Sequence, residues 1–303
     1  MSLSEDHFTT TGQFTKKVYR DVYPDIDPTS ASLSQEGKIV IITGASRGIG
    51  KLSLATAFAK ANAKAIVLSA RNVADLQSTE ELIHEINPRI EVLSAKLEIT
   101  DEESVKSFFD QIKAKFGTAD VLVNNAGLFQ SEGQFVQSGL LETWWHDIEV
   151  NVKGQMLVAK YFLQLLGSEK EGMLIGLSSA AAFMVAPGAS AYSLAKLADL
   201  QLTRYISVEN PNVTAISFHP GIILTDMHDD ARGFRHFAKD TPELAGGVAV
   251  WLCTKTAAFL NGRYMAVNWA VDELLAKKEE IIAGDLLKIQ LGGEFGDAVI
   301  HYM

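Results

Sequence analysis

The sequence predicts an α/β fold, a doubly wound parallel β-sheet with helices on both faces, in a single domain. Three observations carry this. Between residues 38 and 270 short apolar strands alternate with longer helical stretches without a break in composition, and successive βα units pack as a parallel sheet covered on both sides. The first strand runs into a glycine turn and then a helix, KIVIITGASRGIGKLSLATAFAKANA. Ser179 immediately follows the apolar run MLIGLS, which puts a hydroxyl at the carboxyl end of a strand, where such a sheet binds its ligands.

Residues 1–36 are polar, with Pro24 and Pro28 and little periodicity. Two readings stand for them: an irregular arm pinned to the domain by Phe8, Phe14, Tyr19 and Tyr23, or a partly disordered terminus. Residues 38–43 are a β-branched strand. Gly44, Gly48 and Gly50 follow with the spacing G-x-x-x-G-x-G. Glycines let the backbone approach a pyrophosphate, and the helix N-terminus offers N–H groups and a positive dipole end. The pattern is not the G-x-x-x-x-G-K-[ST] phosphate loop, because Ile49 stands where that loop needs glycine and Leu52 follows Lys51. A dinucleotide is the ligand this strand, turn and helix suit.

Residues 64–69 form a second strand leading to Arg71. An acid near the end of this strand commonly marks a preference for NAD. Ser69, Ala70 and Arg71 supply none, and Arg47 sits in the glycine turn. Two arginines near the adenosine ribose predict NADP(H), with its 2′-phosphate.

The alternation continues. Residues 73–87 predict a helix ended by Pro88, and 90–95 a strand. Residues 101–116 predict a helix, with Thr100 as N-cap and Glu103 at the capping-box position. Residues 121–123 are a strand running into Asn124, Asn125, Ala126 and Gly127. Residues 142–166 predict a helix carrying Asn151, 173–177 a strand, 189–208 a helix, and 213–218 a strand ending in HPGIILTDM. The next stretch, DMHDDARGFRHFAKDTPE, reads either as a lid over substrate or as a solvated loop with a short helix. Residues 271–303 begin as an amphipathic helix (Val271, Leu274, Leu275, Ile281, Ile282) that packs on the domain or on a neighbouring subunit.

The 303 residues carry 37 acidic and 27 basic side chains, a net charge of −10. No basic stripe is present, so no nucleic-acid partner is expected. A single cysteine, Cys253, rules out an internal disulfide and suits a reducing compartment. The polar, acidic start lacks a signal-peptide core, and no apolar run approaches the ~18 residues of a membrane helix. A cytoplasmic protein without a membrane partner is expected. His219, His228 and His236 lack metal-ligand spacing, so no metal site is expected, and Trp144 and Trp145 read as packing residues.

The chemistry centres on Tyr192 and Lys196, four apart in YSLAK and therefore on one helix face. A phenol with its ordinary pKa near ~10 is a poor acid and base at neutral pH. A nearby ammonium favours the phenolate and brings that pKa toward working range. Ser179 stands thirteen residues before Tyr192. A Tyr/Lys acid–base pair with a serine donor suits hydride transfer to or from a carbonyl. Alone, such a pair is ordinarily a surface feature; the other motifs give it weight.

With TGASRGIG, NNAG, Asn151, Ser179, YSLAK and HPGIILT in this order, the sequence resembles the short-chain dehydrogenase/reductase family over about residues 38–270. Its arm and tail resemble those of fungal members. The resemblance implies a Rossmann-type domain over 38–270, an arm over 1–37 and a helical tail over 271–303. It implies an NADP(H)-dependent enzyme interconverting a carbonyl and an alcohol, with catalytic residues Asn151, Ser179, Tyr192 and Lys196. Asn151 would kink its helix and hold a water that links Lys196 to solvent. Ser179 would polarise the carbonyl, Tyr192 would transfer the proton, and Lys196 would bind the nicotinamide ribose. Cofactor contacts would come from Gly44, Ser46, Arg47, Gly48, Ile49, Gly50, Arg71, Glu98, Ile99, Asn125, Ala126, Gly127, Tyr192, Lys196, Pro220, Gly221, Ile223 and Thr225. Glu98–Ile99 stand where the family usually has Asp–Val.

A fairly apolar substrate is expected, bounded by Leu128, Phe129, Ala181, Phe183, Met184, Ile222, Met227, Phe234 and Phe237. A second reading keeps the fold and NADP but gives them a binding or non-redox role; cofactor oxidation during turnover separates the two. Apolar stripes on residues 142–166 (Val152, Met156, Ala159, Leu163, Leu166) and on the Tyr192 helix (Leu194, Leu197, Leu200, Leu202, Ile206) predict a homodimer or homotetramer built on a four-helix interface.

Overall fold

The apolar runs become seven strands, all parallel: β1 Ile39–Ile42, β2 Ala65–Ala70, β3 Glu91–Lys96, β4 Val121–Asn124, β5 Gly172–Leu177, β6 Val213–His219 and β7 Tyr264–Ala266. The computed structural model describes residues 3–135, 140–225 and 234–292. The strand order is β3-β2-β1-β4-β5-β6-β7. The chain therefore winds outward from β1 to β3, returns to lay β4 beside β1, and winds outward again. The crevice between β1 and β4 is the topological switch point at which doubly wound sheets bind dinucleotides.

Every residue of β1, β2 and β4 is buried, as expected for parallel strands covered on both faces. Their side chains alternate between two cores. Val40, Ile42, Ile66, Leu68 and Val123 face one core with Phe58, Val248 and Trp251. Ile39, Ile41, Ala65, Val67 and Leu122 face the other with Phe108, Phe162 and Ile206.

Several elements differ from the sequence expectation for identifiable reasons. The N-cap of Glu102–Phe116 is Asp101, whose Oδ1 accepts from Glu103 N at 3.1 Å, while the Thr100 hydroxyl turns to Glu98 Oε1 at 3.0 Å. Residues 73–87 divide into a 3₁₀ turn, Val73–Leu76, and a helix, Gln77–Ile86. The long helix around Asn151 has three parts: Leu140–Ile148, a π-helical stretch Glu149–Gly154, and Gln155–Leu166. Ala159 and Leu166 turn inward to the sheet with Val150, Leu157 and Phe162, whereas Met156 stays exposed. Strand β7, only three residues long, carries too short a pattern to be read from the sequence. The tail holds two short helices, Val271–Ala276 and Lys278–Ala283, which bury Val271, Leu274 and Ile281 and leave Ile282 exposed.

Of the two readings of the arm, the pinned one describes the molecule. Tyr23 is buried, stacks on Tyr19 at 3.7 Å, and its hydroxyl accepts from Val271 N at 2.9 Å. Phe14 packs on Trp269, whose indole N–H donates to Gly12 O at 2.8 Å. Phe8 meets Phe237 edge to face. The Glu273 carboxylate accepts from the backbone N–H groups of Lys16 and Lys17.

Residues 226–233, on which the lid expectation, Met227 and His228 fall, lie outside the described residues, as does the Phe234 side chain. Among the described residues no helix is long and apolar enough to cross a membrane.

Candidate active site

The glycine turn after β1 and the NNAG loop after β4 meet at the switch point. Gly44 and Gly48 have φ of +66° and +54°, a region other residues rarely enter. A Cβ on Gly50 would strike the Gly44 carbonyl oxygen. Asn125 Nδ2 donates to Thr43 O at 2.7 Å and Gly44 O at 3.1 Å, and Thr43 Oγ1 accepts from the N–H groups of Asn125 and Ala126, both at 2.9 Å. Asn124 Nδ2 donates to Gln155 O at 2.9 Å, tying β4 to its covering helix. Across the turn, Thr225 Cγ2 would lie 3.6 Å from a Cβ on Gly48. The residues present therefore fit a pyrophosphate: backbone N–H groups stand at a helix start, three glycines bring no side chain of their own, and Arg47 in the turn is exposed.

The other expected cofactor residues differ in exposure. Arg71 is exposed immediately beyond β2, and Ser46 and Ile49 are half-buried. Pro220, Gly221 and Ile223 are buried in the loop after β6. Glu98 Oε1 is engaged by the Thr100 hydroxyl, and Ile99 packs into the space left by Gly154, where a Cβ would come within 2.7 Å of it. The Glu98 carboxylate and the Ile99 side chain are thus held by the protein's own packing.

Ser179 stands just beyond the end of β5, and the helix that carries Tyr192 and Lys196 packs against the turn that Ser179 caps. Ser179 is the N-cap of the turn Ala180–Phe183, and its Oγ accepts from Ala181 N at 3.1 Å. Tyr192 and Lys196 lie in the first two turns of Ser190–Glu209. The Tyr192 ring stacks on Phe129 at 4.8 Å. Lys196 is buried; its ammonium donates to Leu177 O at 2.6 Å and lies 5.6 Å from the centre of the Tyr192 ring. Burial lowers the Lys196 pKa from its ordinary value, and the charge of Asp199 acts against that shift.

Asn151 sits in the π-helical stretch, buried. Its Nδ2 donates to Leu128 O at 2.7 Å and Asp147 O at 2.9 Å, and its Oδ1 accepts from Leu128 N at 3.2 Å. Oδ1 and the Lys196 ammonium both approach Gly127, where a Cβ would lie 2.7 Å from the first and 3.6 Å from the second. Glycine keeps this corner open.

Sequence reasoning missed three acids that organise the site. Asp147 is buried and accepts from the N–H groups of Gln130 and Ser131, fixing the loop beside Phe129. Asp199 is buried one turn past Lys196, and Asp240 is buried against the loop after β6. None of the three carries a local sequence signal, because the burial of each comes from tertiary neighbours.

The family model for short chain dehydrogenase matches residues 38–235. The chain belongs to the short-chain dehydrogenases. As a member of this oxidoreductase family it is built to use a nicotinamide cofactor. It is 37% identical over 292 residues to the short chain dehydrogenase mpl6 of Monascus purpureus, covering 94% of this chain and 99% of that one. Over 287 residues it is 35% identical to the short chain dehydrogenase pigC of Monascus ruber, covering 91% and 93%. A solved putative short-chain alcohol dehydrogenase from Sinorhizobium meliloti superposes with a TM-score of 0.70 at 27% identity, covering 78% of this short-chain dehydrogenase and 97% of the other. The gluconate 5-dehydrogenase of Burkholderia cenocepacia, solved with NADP and tartrate, shares the fold with a TM-score of 0.70 at 22% identity, covering 81% and 97%.

Proposed function

We propose that this short-chain dehydrogenase is NADP(H)-dependent and interconverts a ketone or aldehyde and an alcohol, with Tyr192 as acid and base. The observation that carries the reading is the buried Lys196 ammonium, fixed to Leu177 O beside the Tyr192 ring. Burying a charge is costly unless it is partnered. Held here, this charge favours the phenolate and makes Tyr192 a usable proton donor and acceptor. The Ser179 Oγ accepts from Ala181 N, which leaves the hydroxyl's own hydrogen to be donated to a substrate oxygen. When bound, the nicotinamide supplies the hydride in reduction and takes it in oxidation. Asn151, locked to Leu128 and Asp147, keeps one lone pair of Oδ1 for a water that joins Lys196 to solvent at the corner left by Gly127.

The NADP preference rests on Arg71 at the end of β2 and Arg47 in the turn, with no acid at Ser69 or Ala70. NADP in the gluconate 5-dehydrogenase structure is consistent with this fold's use of that cofactor. Leu128, Phe129, Ala181, Phe183, Met184 and Ile222 give the substrate side an apolar character. Phe183 and Met184 are exposed, so the substrate is assigned to the apolar carbonyls. Leu141, Trp145, Met156, Leu194, Tyr205 and Val208 are exposed on the two long helices, and we assign them to a homodimer or homotetramer. A single thiol suits the cytoplasm.

The test is NADPH oxidation against a panel of apolar ketones and aldehydes, with NADP⁺ reduction against the matching alcohols. Turnover with any member supports the reading. Tight NADPH binding with no turnover across the panel would favour a binding role instead.

A further inference from the structure

The loop after β6 is held from outside itself. Ile222 N donates to Asp240 Oδ2 at 2.6 Å, and Asp240 N donates back to Ile222 O at 3.3 Å. Gly221 has φ +81°, and a Cβ on it would lie 2.5 Å from the same carboxylate oxygen. The Asp240 carboxylate therefore packs directly on the Gly221 backbone, and a side chain at 221 is barred twice over, by φ and by space.

A buried carboxylate needs partners. Asp240 Oδ1 receives Asn268 Nδ2 at 2.8 Å and Arg20 Nη1 at 3.1 Å. Burial raises the Asp240 pKa, while the Ile222 N–H, Arg20 and Asn268 act to lower it. Arg20 belongs to the N-terminal arm. The rest of its guanidinium is held by Asp6 Oδ1, at 2.9 Å from Nε and 2.6 Å from Nη2, and by Glu5 O at 3.2 Å. The arm's backbone is fixed on both sides of it: Tyr19 N donates to Asn268 O at 2.9 Å and Thr241 N donates to Arg20 O at 2.8 Å. A continuous path of hydrogen bonds thus runs from Asp6 through Arg20 and Asp240 to the Ile222 N–H.

We propose that Asp240 is a positioning residue for the nicotinamide side of the dinucleotide site, and that the N-terminal arm completes it through Arg20. This rests on the cofactor reading given above. Pro220 and Gly221 open the loop, and its Gly221–Ile222 peptide takes its direction from the carboxylate behind it. The carboxylate in turn keeps its place because a cation from the arm sits on its other oxygen. The glycine turn after β1 is held by Asn125 Nδ2 on Thr43 O and Gly44 O and meets the loop after β6 at Thr225, so the loss on cutting the Arg20 contact should fall on the nicotinamide half of the ligand.

The experiment uses the full chain with Arg20→Met, Arg20→Lys and Asp240→Asn. Arg20→Met keeps the aliphatic stem of a side chain that is 23% exposed, so it remains informative where Asp240→Asn fails to fold. Hydrogen exchange of peptides spanning 219–224, without ligand, is expected to be about tenfold faster in Arg20→Met, the equivalent of one charged hydrogen bond lost, and to slow again in Arg20→Lys. By calorimetry, NADPH should bind Arg20→Met about tenfold more weakly, while 2′-phospho-ADP-ribose, which lacks the nicotinamide, should bind unchanged. Unchanged exchange in Arg20→Met overturns the proposal. So does an equal loss of both ligands, which is the signature of a merely structural role. Failure of the wild type to bind NADPH overturns the cofactor reading and this inference together, whereas normal wild-type binding that is indifferent to Arg20 overturns this inference alone.

Discussion

Asp199 follows Lys196 by three residues on Ser190–Glu209, and the two opposite charges are buried together under the carboxyl end of β5. Gly176 of β5 makes the room, since a Cβ there would lie 3.1 Å from Asp199 Oδ1. Among the described residues Asp199 Oδ2 accepts no hydrogen bond. Burial pushes the Asp199 carboxyl up to about 6, with Lys196 acting against the shift.

That elevation has a sign in stability. A carboxyl whose pKa is higher folded than unfolded holds its proton more tightly in the folded state. Its favourable contribution is complete below the unfolded value near ~3.9 and is lost as pH rises through about 6. The full loss is on the order of 3 kcal/mol. Asp199→Asn should flatten this part of the profile, so that melting temperatures of wild type and variant diverge between pH 4 and pH 7, the variant being favoured at the upper end. Parallel profiles would show that Asp199 does not titrate there.

Tyr192→Phe keeps the ring on Phe129 and removes the hydroxyl that carries the transferable proton. Loss of a positioned acid costs about 10²–10⁴-fold in rate. We expect turnover to fall by that range and NADPH affinity to stay within about twofold, a change of under ~0.5 kcal/mol. Full activity in the variant would take Tyr192 out of the mechanism.

Arg71→Asp should narrow or reverse the preference for NADPH over NADH in kcat/KM. A guanidinium on a phosphate contributes about 1.5–3 kcal/mol per charged hydrogen bond, which is roughly a tenfold to hundredfold change. Equal use of the two cofactors by the wild type would defeat the expectation before any variant is made.

Gly50→Ala drives a methyl into the Gly44 carbonyl. Backbone cannot yield as a flexible side chain does, so the turn must open. The cost should be about 1–3 kcal/mol in unfolding free energy, read by urea titration, together with at least about tenfold weaker dinucleotide binding. A stable variant with normal binding would mean that the turn shifts without strain.

Most of the framework was legible in the chain because parallel strands buried on both faces are continuous apolar runs, as in IVII and AIVLSA. The glycine turn was legible because its geometry admits few other residues. What was hidden is of another kind. Strand β7 is too short to carry a pattern. The pinning of the arm depends on Trp269, Val271 and Glu273, which no local window contains. Asp199 and Asp240 look like ordinary surface acids until the fold buries them, since what each needs, Lys196 with Gly176 or Arg20 with Asn268, is supplied by tertiary neighbours.

The arm has a consequence for the order of assembly. Its partners Asn268, Trp269 and Glu273 lie about 250 residues downstream of Tyr19, Gly12 and Lys16. The arm is therefore made long before its partners and docks only after β7 has formed, closing a loop of about 250 residues. Until then Asp240 waits without its cation. The crevice at β1 and β4 can take shape from residues 39–124, but the loop after β6 reaches its final setting only when the arm has met the segment around Asn268 and Trp269.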